Sequence, residues 1–165
     1  MATTESIPIA TYGGNETVAK ELSKLLLPEY DVVHVCLKLS HALAELPSLC
    51  NRDVNVAAAS PLGSNQARRD DDILGRRVPV AVVFGGGVAD DEYEAVAAAI
   101  EARLKEEAGR GDGAQQPVKM VRVTRADVLA AGGTGPEPGV VARVVRSKLQ
   151  AEGLKPGAAA GEAAH

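Results

Sequence analysis

Residues 78–84 read VPVAVVF and run straight into Gly85, Gly86 and Gly87. A stretch that is apolar at nearly every position reads as a strand covered on both faces. A strand of that kind needs a layer on each side of its sheet. The three glycines end it, and a helical stripe follows in which Tyr93, Val96, Ala97, Ile100 and Leu104 recur at helical spacing. Asp90 or Asp91 can cap this helix, and Asp91 with Glu94 fits a capping box.

The same unit opens the chain. Ile7-Pro8-Ile9-Ala10-Thr11 reads as a strand, and Gly13-Gly14-Asn15 breaks it. Val18, Leu22, Leu25 and Leu26 then mark one buried face of a helix that Asn15 caps and Pro28 limits. Residues 31–38 form a second strand, with His34, Cys36 and Lys38 facing away from Val33, Val35 and Leu37. Ser40 caps a short helix through Leu46, which Pro47 ends. Residues 118–123 form a fourth strand, where Lys119 and Arg122 suit an edge. Thr124 with Asp127 caps a short turn of helix ending near Ala131. After a Gly- and Pro-rich loop at 132–139, Val140, Val141, Val144, Val145 and Leu149 make the face of a last helix. Proline cannot donate to a ladder, so pairing of the first strand begins at Ile9. Pro79 raises the same conflict one residue inside its strand.

Strands alternating with helices specify a parallel sheet with helices on both faces. The expected fold is a small three-layer α/β domain, Rossmann-like or flavodoxin-like, with four parallel strands in the order 2-1-3-4. It spans residues 6–152, between a flexible N-terminus at 1–5 and a disordered tail at 153–165. Residues 49–77 lack periodicity and form an irregular segment, mobile or a lid. Within it, 54–56 could make a small strand and 60–65 have loop chemistry. The mixed charge run at 68–72 reads as solvated surface.

Composition bounds the function. The chain has 165 residues, enough for one domain, and 45% are apolar. With one Phe, three Tyr and no Trp, its core is built mostly from Val, Leu and Ala. A net charge of −4 and few aromatics argue against nucleic acid as a partner. No run approaches the roughly 20 apolar residues of a membrane span. The first residues lack the pattern of a secretory signal, so a reducing, cytoplasmic location is expected. Two cysteines without a CxxC pair argue against a disulfide scaffold or a structural zinc site.

The sharpest site candidates are the two glycine turns. Tyr12, Gly13, Gly14 and Asn15 stand where dinucleotide-binding proteins place their phosphate loop, at a strand end and a helix N-terminus. Gly85, Gly86 and Gly87 would flank them on the same sheet edge. The spacing is not GxGxxG, there is no GK[ST], and strand two ends without an acid for a ribose. Lys38 and Ser40 stand there instead and could meet a 2′-phosphate, which makes NADP the cofactor to consider. Nucleophile patterns are absent: no GxSxG, and Tyr12 and Tyr93 lack the YxxxK pairing. Cys36 and His34, two apart on a strand, sit about 7 Å from one another, beyond direct proton transfer. Asp90 and Asp91 suit capping better than a metal.

The segments YGGNETVAKEL, EYDVVHVC and VPVAVVFGGGVADDEYEAV resemble a group of short fungal proteins, mostly of unknown function, with a truncated Rossmann-like domain. The similarity in organisation covers residues 7–150. It implies an NAD(P)-binding-like fold without implying that NAD(P) binding is retained. The chain departs from working dinucleotide enzymes by lacking the third glycine, the ribose acid and a second catalytic domain. The expectation is a non-catalytic Rossmann-like protein acting through protein association, as a homo-oligomer or with a partner. The alternative is a binding protein for a small nucleotide, NAD(P) or a phosphometabolite.

Overall fold

The computed structural model describes residues 6–27, 29–53, 56, 59–60, 62–67, 77–85, 87–108, 118–134 and 137–154. Four strands, β1 (Ile7–Tyr12), β2 (Tyr30–Cys36), β3 (Ala81–Phe84) and β4 (Lys119–Arg122), form one all-parallel sheet in the order β2-β1-β3-β4. Around it lie α1 (Glu16–Leu26), α2 (Leu39–Cys50), α3 (Ser64–Ala67), α4 (Asp90–Ala108), α5 (Arg125–Ala130) and α6 (Pro138–Ala151). This is the three-layer α/β architecture of small Rossmann-like and flavodoxin-like domains, with the expected strand order.

Two cores sandwich the sheet. On one face Ile9, Val32 and Val83 meet Leu22 and Leu26 of α1, Val128 of α5 and Val145 and Leu149 of α6. On the other, Ala10, Val82 and Phe84 meet Leu46 of α2 and Val96 and Ile100 of α4. The four residues of β3 are all buried, as a strand covered on both faces requires. Phe84 stacks edge-on against both Tyr12 and Tyr93.

Several boundaries differ from the sequence expectation, each for a local reason. Pairing of β1 starts at Ile7, whose N–H donates to the Glu29 carbonyl, so Pro8 lies inside the strand. The Pro8 carbonyl accepts from Val80 N–H, so its missing donor also faces β3, where the ladder has yet to begin at Ala81. β3 in turn starts after Pro79, which removes that conflict. In α1 it is Leu22 and Leu26 that are buried, whereas Leu25 is 41% exposed. Leu27 is extended, as the residue before a proline should be.

α2 runs through Pro47 instead of ending before it, and Ser40 lies inside its first turn instead of capping it. Lys38 occupies the cap position without a side-chain hydrogen bond. An interior proline costs about 3 kcal/mol. Leu46 and Leu49 are fully buried, at about 1.5–3 kcal/mol each, so continuing the helix wins.

β2 contains a bulge. Ile9 faces Val32 but Ala10 faces His34, which leaves Val33 as the extra residue. Val32 and Val35 therefore share the α1/α6 face, and His34 and Cys36 point toward α2. Part of the segment expected to be irregular is ordered against this bulge: Gly63 approaches the Val33 carbonyl, and α3 packs on β2, which covers an edge strand. Asn65 bonds both backbone groups of Arg77, and Arg77 pairs with Asp31 at 2.8 Å. Residues 54–55 and 68–72 lie outside the described residues. So do the N-terminal residues 1–5 and all of the expected tail from 155 onward.

Two helix caps form as expected. Asn15 caps α1 by accepting from Val18 N–H at 3.0 Å. Thr124 and Asp127 form a reciprocal capping box. α4 already begins at Asp90, so neither Asp90 nor Asp91 is the cap residue expected; both acids lie inside its first turn, where they favour the positive end of the helix dipole. α6 begins at Pro138, two residues earlier than expected, with proline at a position that needs no N–H. Leu154 packs on the core and its carbonyl accepts from Tyr30 Oη at 2.6 Å, which carries the ordered chain two residues past the expected boundary.

Candidate functional site

The two glycine turns meet. A Cβ built on Gly13 would stand 3.7 Å from Gly85 Cα, because both turns leave neighbouring strands at the same sheet edge. The chain passes from β2 back across β1 to β3, so this edge is the topological switch point, where open α/β sheets bind ligands. A cavity of about 450 Å³ opens there. Its floor is Thr11, Val83 and Val123 at the strand ends, and one wall is the N-terminal part of α1. The opposite wall comes from α5 and α6, through Val128, Leu129 and Val141, with Arg125 at the start of α5.

Of the residues singled out from sequence, Tyr12, Gly13, Gly14, Asn15, Gly85 and Gly87 all line this cavity. Gly86 lies outside the described residues. Tyr12 contributes main chain, since its ring is packed into the opposite core and its hydroxyl donates to Glu92 Oε1 at 3.2 Å. Burial, with the nearby Glu92 carboxylate, pushes the Tyr12 phenol up to about 12. Lys38 and Ser40 are exposed at the start of α2, in the other helix layer, and neither lines the cavity. The fold thus unites the glycine turns but leaves the two residues proposed for a 2′-phosphate outside.

The donors available inside can be counted. The N–H groups of Gly13 and Gly85 are used in the sheet, bonding the carbonyls of Cys36 and Tyr12. The side chain of Asn15 satisfies only one of the first N–H groups of α1. Thr11 is 6% exposed, yet its Oγ1 has no hydrogen-bond partner among the described residues. A buried hydroxyl without a partner costs about 1–3 kcal/mol, and such a group in a native fold requires a reason. Arg125 is exposed and makes no ion pair among the described residues.

No local pattern in the chain marks Thr11 or the α5/α6 wall. A threonine in a strand is unremarkable until its neighbours are known, and Val128, Leu129 and Val141 stand over a hundred residues away.

A second polar cluster lies in the other layer. Glu45 of α2 reaches both His34 and Cys36 of β2, and all three are buried. The donor atoms of His34 and Cys36 come within 4.8 Å of one another, closer than the strand spacing of about 7 Å suggests, because both side chains turn to the same oxygen of Glu45. Burial pushes the Cys36 thiol well up, and the Glu45 carboxylate adds to this. Burial alone raises Cys50 to about 12. Neither cysteine is an activated nucleophile.

Compared with protein-family models, with curated proteins and with solved structures, the chain matches none. No helix among the described residues is long and apolar enough to cross a membrane.

Proposed function

We propose that this chain is a small-molecule-binding domain that holds the phosphate group of a compact metabolite at the switch-point cavity. The observation that carries this reading is Thr11: its hydroxyl is buried, unpartnered and at the floor of a cavity that the N-terminus of α1 also faces. A phosphate oxygen there would receive the Thr11 hydroxyl together with the first N–H groups of α1, in the field of the helix dipole. Arg125 stands at the rim as a countercharge. The remaining lining is mostly apolar, through Leu22, Val83, Val123, Val128, Leu129 and Val141. That favours a ligand with one anionic end and an apolar or planar body.

Four cavity glycines support the same reading. Gly13, Gly14, Gly85 and Gly87 do not adopt positive φ, and a Cβ would meet only ordinary contacts or open space at each. Neither backbone conformation nor internal packing demands glycine there, whereas an approaching ligand would.

Association through the surface is the weaker reading. Of the exposed large apolar side chains on the described surface, Leu25 and Leu27 lie at the end of α1 and Leu43 in α2, and Leu129 belongs to the cavity wall.

The test is calorimetry with inorganic phosphate, AMP and NADP on the wild type, Thr11→Val and Lys38→Ala. Thr11→Val replaces the hydroxyl with a methyl group of like shape. It should leave the fold intact and weaken phosphate-bearing ligands by about 10- to 100-fold, the size of a hydrogen bond to a charged group. Lys38→Ala should change nothing. Equal binding by wild type and Thr11→Val, or no binding of any of the three, overturns the proposal.

A further inference from the structure

β2 and α2 bring three donor atoms of different chemistry to one buried point. The bulge at Val33 sets the alternation that turns His34 and Cys36 toward α2. Glu45 meets them there. Its Oε1 lies 2.8 Å from His34 Nε2 and accepts from Cys36 Sγ at 3.6 Å, while its Oε2 accepts from Ala59 N–H at 3.1 Å. The three donor atoms all lie within 4.8 Å of one another. His34 and Cys36 thus converge on one oxygen of the carboxylate, and the other oxygen is tied back to the main chain.

We propose that His34, Cys36 and Glu45 form a binding site for one divalent cation of zinc's class. Imidazole, thiolate and carboxylate are the side chains that borderline-soft ions select. A thiolate and a carboxylate neutralise a dication, so the loaded site adds no net charge to the interior, where an uncompensated ion is costly. Ligands of a tetrahedral zinc stand roughly 3.3–3.8 Å apart. The Cys36–Glu45 separation already has this value, the His34–Glu45 pair has to open by about half an ångström, and the His34–Cys36 pair lies within 4.8 Å and closes onto the ion. The ligands sit on a strand and a helix, and Ala59 N–H orients the carboxylate from outside, as partners behind metal ligands do. On binding, the Cys36 S–H bond breaks, a metal–sulfur bond forms and the proton leaves to solvent, with no change of oxidation state. Three protein ligands leave the fourth position to water. The site lies in the α2/α4 layer, across the sheet from the switch-point cavity, and does not depend on what binds there.

The experiment loads the full chain, freed of metal by chelation, with Zn²⁺ or Co²⁺ both in the native state and during refolding. Bound metal is counted after desalting, and the cobalt form is read by absorption. The expected result is one ion per chain, a thiolate-to-cobalt charge-transfer band and a raised melting temperature. Cys36→Ser, nearly isosteric, should abolish the band. Cys36→Ser and Glu45→Gln should each weaken binding by more than the ~10- to 100-fold that loss of an outer partner costs. Cys50→Ser should leave both band and stoichiometry unchanged. No retained ion in the wild type by either loading route overturns the proposal, whatever the variants do. So does a charge-transfer band that survives Cys36→Ser or disappears in Cys50→Ser.

Discussion

Gly63 shows how much a single residue decides in this molecule. A Cβ there would stand 2.3 Å from the Val33 carbonyl oxygen and 2.6 Å from His34 Cα, both main chain and both held by the bulge of β2. Backbone in a sheet cannot move aside as a flexible side chain can. Gly63→Ala should therefore destabilise the protein by about 1–3 kcal/mol or more, the range of overpacking in a filled interior. Gly14→Ala meets nothing within 4 Å and should stay within about 0.5 kcal/mol of wild type or gain slightly. Urea midpoints compare the two, and equal midpoints would mean that the 60–67 segment does not seat on β2. In the sequence the two positions look alike, each a glycine beside polar residues. The difference lies in contacts made across thirty residues of chain, which no local pattern encodes. Thr11 and Glu45 were illegible for the same reason: one reads as an ordinary strand residue and the other as a helix-surface charge.

The elements were far more legible. Alternation of strand and helix patterns was enough to give the parallel sheet and its order, because each buried stripe could face only one layer. Where element boundaries moved, packing had overridden local preference, as in the passage of α2 through Pro47. Local chemistry prevailed where the element was short and exposed. α5 has only six residues, so its start depends on the capping box. Thr124→Ala removes the bond to Asp127 N–H and should cost about 1 kcal/mol. The Thr124 N–H and hydroxyl, with Lys148 at 3.0 Å, hold the Asp127 carboxyl below its ordinary value. A depressed carboxyl contributes stability above its unfolded value near pH ~3.9, and loses it as pH falls through the lower folded value. Asp127→Asn should thus be less stable than wild type at neutral pH and should show a shallower loss on acidification. Thermal melts through the acid range check this, and parallel acid limbs for the two proteins would exclude a role for the carboxyl.

At the scale of the whole molecule, the acids with raised values lie where the sheet meets its helix layers. Tyr12 is wedged between β3 and α4, and Cys36 and Cys50 lie in the same core. Tyr30 joins β2 to the end of α6 through Leu154, and burial raises its phenol as well. The ordinary values are 9.0 for the thiols and 10.0 for the phenols, against about 12 for folded Cys50 and Tyr12. A group with a raised folded value contributes stability fully present below its unfolded value, and loses it as pH climbs through the folded one. Between these values the unfolded chain ionises and the folded chain does not. Stability should therefore hold up to about pH 9, decline as the thiols begin to count, and decline more steeply above pH 10. Each group can contribute at most about 1.4 kcal/mol per pH unit within its window. The measurement is the urea midpoint across the alkaline range at fixed ionic strength. Tyr12→Phe keeps the ring against Phe84 and removes only the ionisable hydroxyl, so it should flatten the decline above pH 10 and leave the thiol-dependent part below it unchanged. An identical alkaline limb in Tyr12→Phe and wild type would show that the phenol ionises as readily folded as unfolded, and that the joint between β1 and α4 admits water.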